Sequence, residues 1–181
     1  ERLINLSSEI PGSFLIHGTL FSHYLGHQEM RDSLIEEGKE LIKLFTADEK
    51  DILCLSMLGV DPFFELANIY YEMGMVDDAI NVYNRVIPIH PMNQIKYYKH
   101  LGELYKLKGK DAFAISAFNL VLSRNQSDYE TRLNLASLYE DNGDLSSALE
   151  QYQYSLKYTK NISENSRLKE KIKQLQLLKD V

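Results

Sequence analysis

The chain has 181 residues, 44 % of them hydrophobic and 25 % charged, with a formal net charge of −6. That apolar content builds a sizeable core and excludes a disordered tail, and the acidic balance argues against generic nucleic-acid binding, which carries a basic excess. A single cysteine, Cys54, excludes an internal disulfide and fits a reducing compartment, and no stretch approaches the ~18 consecutive apolar residues of a membrane span. The charge is uneven: residues 157–181 hold seven Lys/Arg and three Asp/Glu, or +4, which leaves −10 on residues 1–156.

The chain opens on Glu1 rather than Met, which predicts a fragment or a processed product. Pro11-Gly12 punctuates the start. Residues 13–24 and 28–45 then read as two helices joined by a turn at Leu25-Gly26-His27. In the second, Leu34, Ile35, Leu41, Ile42 and Phe45 recur at helical spacing, weakened by Gly38. Residues 46–50 form a polar break and 51–58 a short apolar segment. Residues 1–59 are therefore expected to form a degenerate helical hairpin ahead of a more regular array.

Residues 60–91, 95–126 and 129–160 superimpose on one another. Leu66, Leu101 and Leu135 coincide, each followed by a small residue (Ala67, Gly102, Ala136). Tyr70, Tyr105 and Tyr139 come next, then Gly74, Gly109 and Gly143. Ala79, Ala114 and Ala148 follow, and last the rings of Tyr83, Phe118 and Tyr152. The offset is 35 residues, then 34, so six positions repeat three times in register. Each has a physical task. The leucine, small residue and aromatic share one face of a first helix, and the small residue permits close approach of the second helix. The glycine ends the first helix, where a left-handed backbone is needed. Asp77, Asp111 and Asp144 suit the positive end of the second helix.

This pattern resembles the tetratricopeptide repeat family, with its ~34-residue period. The resemblance covers residues 60–160 and implies an all-α solenoid of helical hairpins, wound as a right-handed superhelix. The expected units are residues 60–94, 95–128 and 129–162. The ring usually found at the fourth position of the repeat is Phe63 and Tyr98 in the first two units but Arg132 in the third, which predicts looser packing there. Residues 163–181 are expected to form an amphipathic capping helix started by Ser163 or Ser166. Its stripe of Leu168, Ile172, Leu175 and Leu178 would cover the exposed end of the array, with Lys169, Lys171 and Lys173 elsewhere.

In this family partners lie in a concave groove built from the first helices. Counting from Val60, Ile95 and Tyr129, the groove positions are Asp61, Phe64, Asn68 and Tyr71 in the first unit; Lys96, Lys99, Glu103 and Lys106 in the second; and Glu130, Leu133, Ser137 and Glu140 in the third. Aromatic and apolar groups beside both signs of charge suit an extended or helical peptide with an apolar anchor. The family's clamp for a chaperone C-terminal carboxylate needs Lys and Asn, then Asn, then Lys and Arg. The matching positions hold Phe64, Asn68, His100, Glu130 and Asn134, so that ligand is not expected.

The expected function is thus a non-catalytic scaffold for a protein or peptide, within a larger complex. The run from Tyr129 to Gly143 is also similar to the end of the repeat array in the tetratricopeptide subunits of the RNA polymerase III transcription factor TFIIIC. That likeness, over about residues 60–155, implies a nuclear scaffold recruiting the polymerase's initiation factor. A subunit resembling those of the anaphase-promoting complex is the alternative. The chain would be intracellular, nuclear under the TFIIIC likeness and cytoplasmic otherwise.

No catalytic residue, cofactor or metal is called for. The sequence has no phosphate-cradling glycine loop and no Gly-x-Ser-x-Gly elbow. Cys54 reads as buried and inert. His23 and His27 have a zinc-compatible spacing, but Gly26 lies between them. Asn5, Asn125 and Asn161 open Asn-X-Ser tripeptides, read as chance matches. The basic tail is the one feature that would contact nucleic acid or an acidic partner directly.

Overall fold

The computed structural model describes residues 12–45, 49–159 and 161–179, and every element in them is helical. They fall into two compact units, residues 1–97 and 98–181. In the first unit, α1 (Phe14–Tyr24) is capped by the Ser13 side chain, which accepts from the Ile16 N–H. A short 3₁₀ turn, Gln28–Met30, leads into α2 (Arg31–Leu44). There follow α3 (Glu49–Leu58), α4 (Pro62–Glu72), α5 (Val76–Val86) and a second 3₁₀ turn at Pro91–Asn93. Helix α6 (Gln94–Leu107) starts in this unit and runs into the next. The second unit adds α7 (Asp111–Arg124), α8 (Tyr129–Asp141), α9 (Leu145–Tyr158) and α10 (Ile162–Lys179).

The repeated residues do the work assigned to them by spacing. Gly74, Gly109 and Gly143 have φ of 75°, 65° and 77°, a region open to glycine at little cost. In each case the next residue's N–H reaches back to the carbonyl of the repeat tyrosine: Met75 to Tyr70 at 2.8 Å, Lys110 to Tyr105 at 2.9 Å and Asp144 to Tyr139 at 2.8 Å. This six-residue closure satisfies carbonyls that a helix end leaves open. The small positions are tight contacts. A Cβ on Gly102 would stand 2.5 Å from the Phe118 ring, and Ala79, Ala114, Ala136 and Ala148 are fully buried.

The N-terminal flank packs as a hairpin of α1 and α2, with α3 folded onto α1 and α2 against α4. It uses the same device at other positions. A Cβ on Gly38 would meet Leu66 at 2.9 Å and Phe21 at 3.1 Å, and one on Gly18 would meet Leu58 at 2.9 Å. Gly38, read from sequence as a weakness in α2, is a packing contact.

Three local expectations are corrected. Arg132 does not leave a gap: it is buried, donating to the Gln126 carbonyl and to Gln151 Oε1 at 2.8 Å each, with its guanidinium 4.6 Å from the Tyr154 ring centroid. A long planar cation thus fills the aromatic position by stacking on a ring from the next helix. Helix α10 is started by Asn161, whose Oδ1 accepts from Ser163 N at 2.9 Å, rather than by either serine. Leu168, Ile172 and Leu175 are buried against α8 and α9 side chains such as Ala136, Leu149 and Tyr152, but Leu178 is 62 % exposed. At 100° per residue the stripe has drifted off the covered face by then.

Candidate functional site

In the first unit, Asp61 caps α4, its carboxylate accepting from the Phe64 N–H at 3.1 Å. That carboxylate also accepts from Tyr97 OH, 3.0 Å from both oxygens, and from Asn93 Nδ2 at 2.8 Å. The phenol proton is thereby committed, so His90, 2.6 Å away through Nδ1, donates to the phenol oxygen. His90 is buried among Phe45, Phe63 and Tyr97, with ring centroids 5.5 to 5.9 Å apart. Burial lowers the imidazole pKa, partly offset by Asp61. Burial, followed by the charge of Asp61, raises the Tyr97 phenol far above its ordinary value. The expected groove residue Asp61 is therefore the centre of an internal network.

The other expected residues of this unit are more open. Lys96 Nζ sits 3.4 Å above the Phe64 ring and 4.0 Å from Asp61, so it covers one aromatic face. Tyr71 is 52 % exposed. Asn68 lines a cleft of about 380 Å³ with Gly26, His27, Arg31, Glu65 and Glu72, across which Arg31 pairs with Glu72 at 2.6 Å.

In the second unit the expected charged residues are bonded to neighbours. Lys99 Nζ lies 2.6 Å from Glu130 and 3.3 Å from Asp128, the residue that caps α8. Burial works against the Lys99 ammonium, but Glu130 and Asp128 outweigh it and raise its pKa. Burial likewise opposes the Asp128 carboxylate, and bonds from Thr131 together with Lys99 outweigh that and lower its pKa. Lys106 donates to Ser137 at 3.2 Å, and Glu103 pairs with His100 at 3.1 Å. Glu140 accepts from Tyr152 OH at 3.1 Å and from Lys171 at 2.6 Å. Leu133 is half-buried and lines a cleft of about 510 Å³ with Tyr129, Arg167, Leu168, Lys171 and Gln174.

Most of the charge on these helices is already matched by neighbours, which leaves apolar surface and hydrogen-bonding groups as what they present. Sequence counting missed Arg31 and His27 in one cleft, and Arg167 and Gln174 in the other, because it drew only on the three repeats. A signal was available: Arg167, Lys171 and Gln174 recur three to four residues apart on α10, the spacing of a second face beside the leucine stripe.

The remaining motifs do not converge on chemistry. His23 and His27 have ring centroids 5.9 Å apart and both are exposed, and Gly26, at φ 92°, lies beyond the helix end. No group of three or more His, Cys, Asp or Glu side chains among the described residues could hold a metal ion. Cys54 is half-buried. One cation of the basic tail, Lys171, is engaged by Glu140. No helix among the described residues is long and apolar enough to cross a membrane.

Paired helices with a glycine turn, a small residue at each crossing and a ring four positions on give the described residues the helical-hairpin fold seen in tetratricopeptide repeat structures. Residues 63–91 match the family model described as tetratricopeptide repeat. No curated protein matches the sequence. Among solved structures, MamA is similar at 17 % identity and a TM-score of 0.66, covering 86 % of this chain and 84 % of that one. The first tetratricopeptide domain of Spaghetti (RPAP3), bound to the HSP90 peptide SRMEEVD, is similar at 24 % identity and TM-score 0.55, covering 64 % and 90 %. SycD of Yersinia enterocolitica, in complex with a peptide of the translocator YopD, is similar at 17 % and 0.58, covering 65 % and 92 %. At these identities the likeness is one of fold.

Proposed function

We propose that this chain is a non-catalytic interaction module that holds a peptide segment of a partner protein against the first helices of its hairpins. The observation that carries this is the division of labour on those helices. Lys99, Glu103, Glu130 and Glu140 are paired with neighbours, while α4 presents the exposed Tyr71 and the half-buried Phe64 on the helix that carries Asn68, and α8 presents the half-buried Leu133. A partner would gain from apolar anchors there and little from salt bridges. Two of the similar structures hold peptides, in keeping with this reading.

A chaperone C-terminal carboxylate is not the ligand proposed. Glu130 places an anion where that clamp needs a cation, and Lys99 is spent on neutralising it. The likeness to the TFIIIC subunits, or to those of the anaphase-promoting complex, rests on residues that belong to the repeat pattern itself. The proposal therefore stops at a partner protein and does not extend to a particular assembly.

The test is selection from a displayed library of random 16-residue peptides, followed by titration of the enriched peptides. Replacing Phe64 and Tyr71 together by Ala should weaken binding at least ten-fold with little change in melting temperature. Peptides that bind the double variant as well as the parent would move the site elsewhere.

A further inference from the structure

Helix α7 differs from the other second helices of the array on its outer side. The exposed residues of α5 include Asp77, Asn81, Asn84 and Arg85, and those of α9 include Ser146, Glu150, Gln153 and Lys157. Between residues 112 and 123, α7 has no charged residue. Its inner side is committed: Ala114, Phe118 and Leu122 pack with Leu135 and Leu138 of α8. Its outer side presents Phe113, 60 % exposed, and Leu120, 46 % exposed, one above the other at i, i+7, with Ala112, Ser116 and Ser123 around them. Leu107, at the end of α6, is also 60 % exposed. The Phe113 ring is held by Tyr105, with centroids 5.2 Å apart, so it is presented rather than free to fold away. Large apolar side chains grouped on one exposed helix face mark a contact site.

The charges around this ridge select the occupant. Lys108 and Lys110 stand at one end and Arg124 at the other, all exposed, with Asp111 as the nearby anion. Three cations against one anion make the border positive on a chain whose net charge is −6. A second copy meeting this face would bring the same cations against it, and like charges at an interface are unfavourable.

We infer that the outer face of α7 is a second interaction surface, for an amphipathic helix of a partner whose apolar stripe is bordered by acidic residues. Phe113 and Leu120 lie between the stripe's side chains, and Lys108, Lys110 and Arg124 meet the acids at its ends. This surface is separate from the one proposed on the first helices, and the two stand or fall independently.

The probe is a fluorescein-labelled 20-residue synthetic helix with leucines at i, i+3 and i+7 and glutamates at both ends, followed by anisotropy against the full chain. The controls are the same stripe with lysine ends and a scrambled sequence. The glutamate-ended helix should bind best, protect amides 112–123 from hydrogen exchange, and lose affinity at least ten-fold on Phe113→Ser with Leu120→Ser. Replacing Lys108, Lys110 and Arg124 together by Glu should reverse the preference toward the lysine-ended helix; should the serine variant melt early, this charge-reversed chain carries the test. The Phe64→Ala, Tyr71→Ala variant should bind the probe as the parent does. Equal binding of all three peptides, unchanged preference after charge reversal, or loss of the probe with the Phe64/Tyr71 variant would overturn the inference. So would a dimer in sedimentation velocity that the two serine substitutions dissolve, since it would make the occupant a second copy.

Discussion

Two aspartates do the same job in the two units and are held in different ways. Asp61 caps α4 and is bonded by Tyr97; Asp128 caps α8 and is bonded by Lys99. Both partners come from α6, two residues apart. Around Asp61 the partner is a buried phenol, itself bonded to a buried imidazole in an aromatic cage. Around Asp128 it is an ammonium shared with an exposed glutamate. A buried network around one carboxylate depends on every member keeping its partner, whereas an ion pair open to solvent on its glutamate side contributes less. One unit should therefore be sensitive to acid and to the loss of single hydroxyls, and the other to salt.

Substitutions along α6 break this comparison in graded steps, read by hydrogen exchange at the amides of α4 and α5 against those of α8 and α9. The largest effect is expected from Gly102→Val. Its side chain would enter the Phe118 ring's space, costing about 1–3 kcal/mol and loosening α7 and α8 first, since repeats couple mainly to neighbours. Tyr97→Phe removes one hydroxyl and leaves Asp61 and His90 short of a partner. A loss of about 1–2 kcal/mol, registered in α4 and α5, is the expected outcome; protection unchanged there would show the network to be incidental.

Acid sharpens the contrast. The folded chain holds the His90 pKa below the ordinary value of about 6.5. The unfolded chain then binds the proton more readily, so this contribution is complete above pH 6.5 and is lost as the pH falls from there through the folded pKa. Asp128 is also depressed, but from the carboxylate range, so its contribution persists until the pH falls below about 4. Chemical denaturation across pH 7 to 5 should show α4 and α5 weakening ahead of α8 and α9, and His90→Phe should remove that slope. The smallest effect is expected from Lys99→Met, about 0.2–1 kcal/mol at low salt and less at high salt, visible only in α8.

What could be read in advance follows from which contacts are periodic. The glycine turns, the small crossing residues and the rings recur every 34 to 35 residues, so three copies announce each position. Gly38 and Gly18 do the same work without a recurring context, so Gly38 reads as a weakness and Gly18 gives no signal. The Asp61–Tyr97–His90 network joins residues up to 36 apart, and its tyrosine and histidine stand where the other repeats have different residues, so no spacing rule finds it. The groove positions were located by counting, but counting does not say which side chains face each other across helices. Lys99 with Glu130 and Glu140 with Lys171 look like recognition charges in sequence and are internal pairs in the fold. Arg132 shows the same limit: a cation at an aromatic position reads as a fault until Tyr154, 22 residues on, supplies the ring.

The glycine turns carry a kinetic consequence. Each reversal is closed by a bond between residues five apart, from Tyr70 to Met75, Tyr105 to Lys110 and Tyr139 to Asp144, so little chain entropy is lost in making it. The two helices it joins meet through partners close along the chain, which keeps contact order low and favours rapid folding. A hairpin of this kind can begin to form while the ribosome is still adding the next one, so a newly made apolar face waits only about one repeat's length of synthesis for its cover.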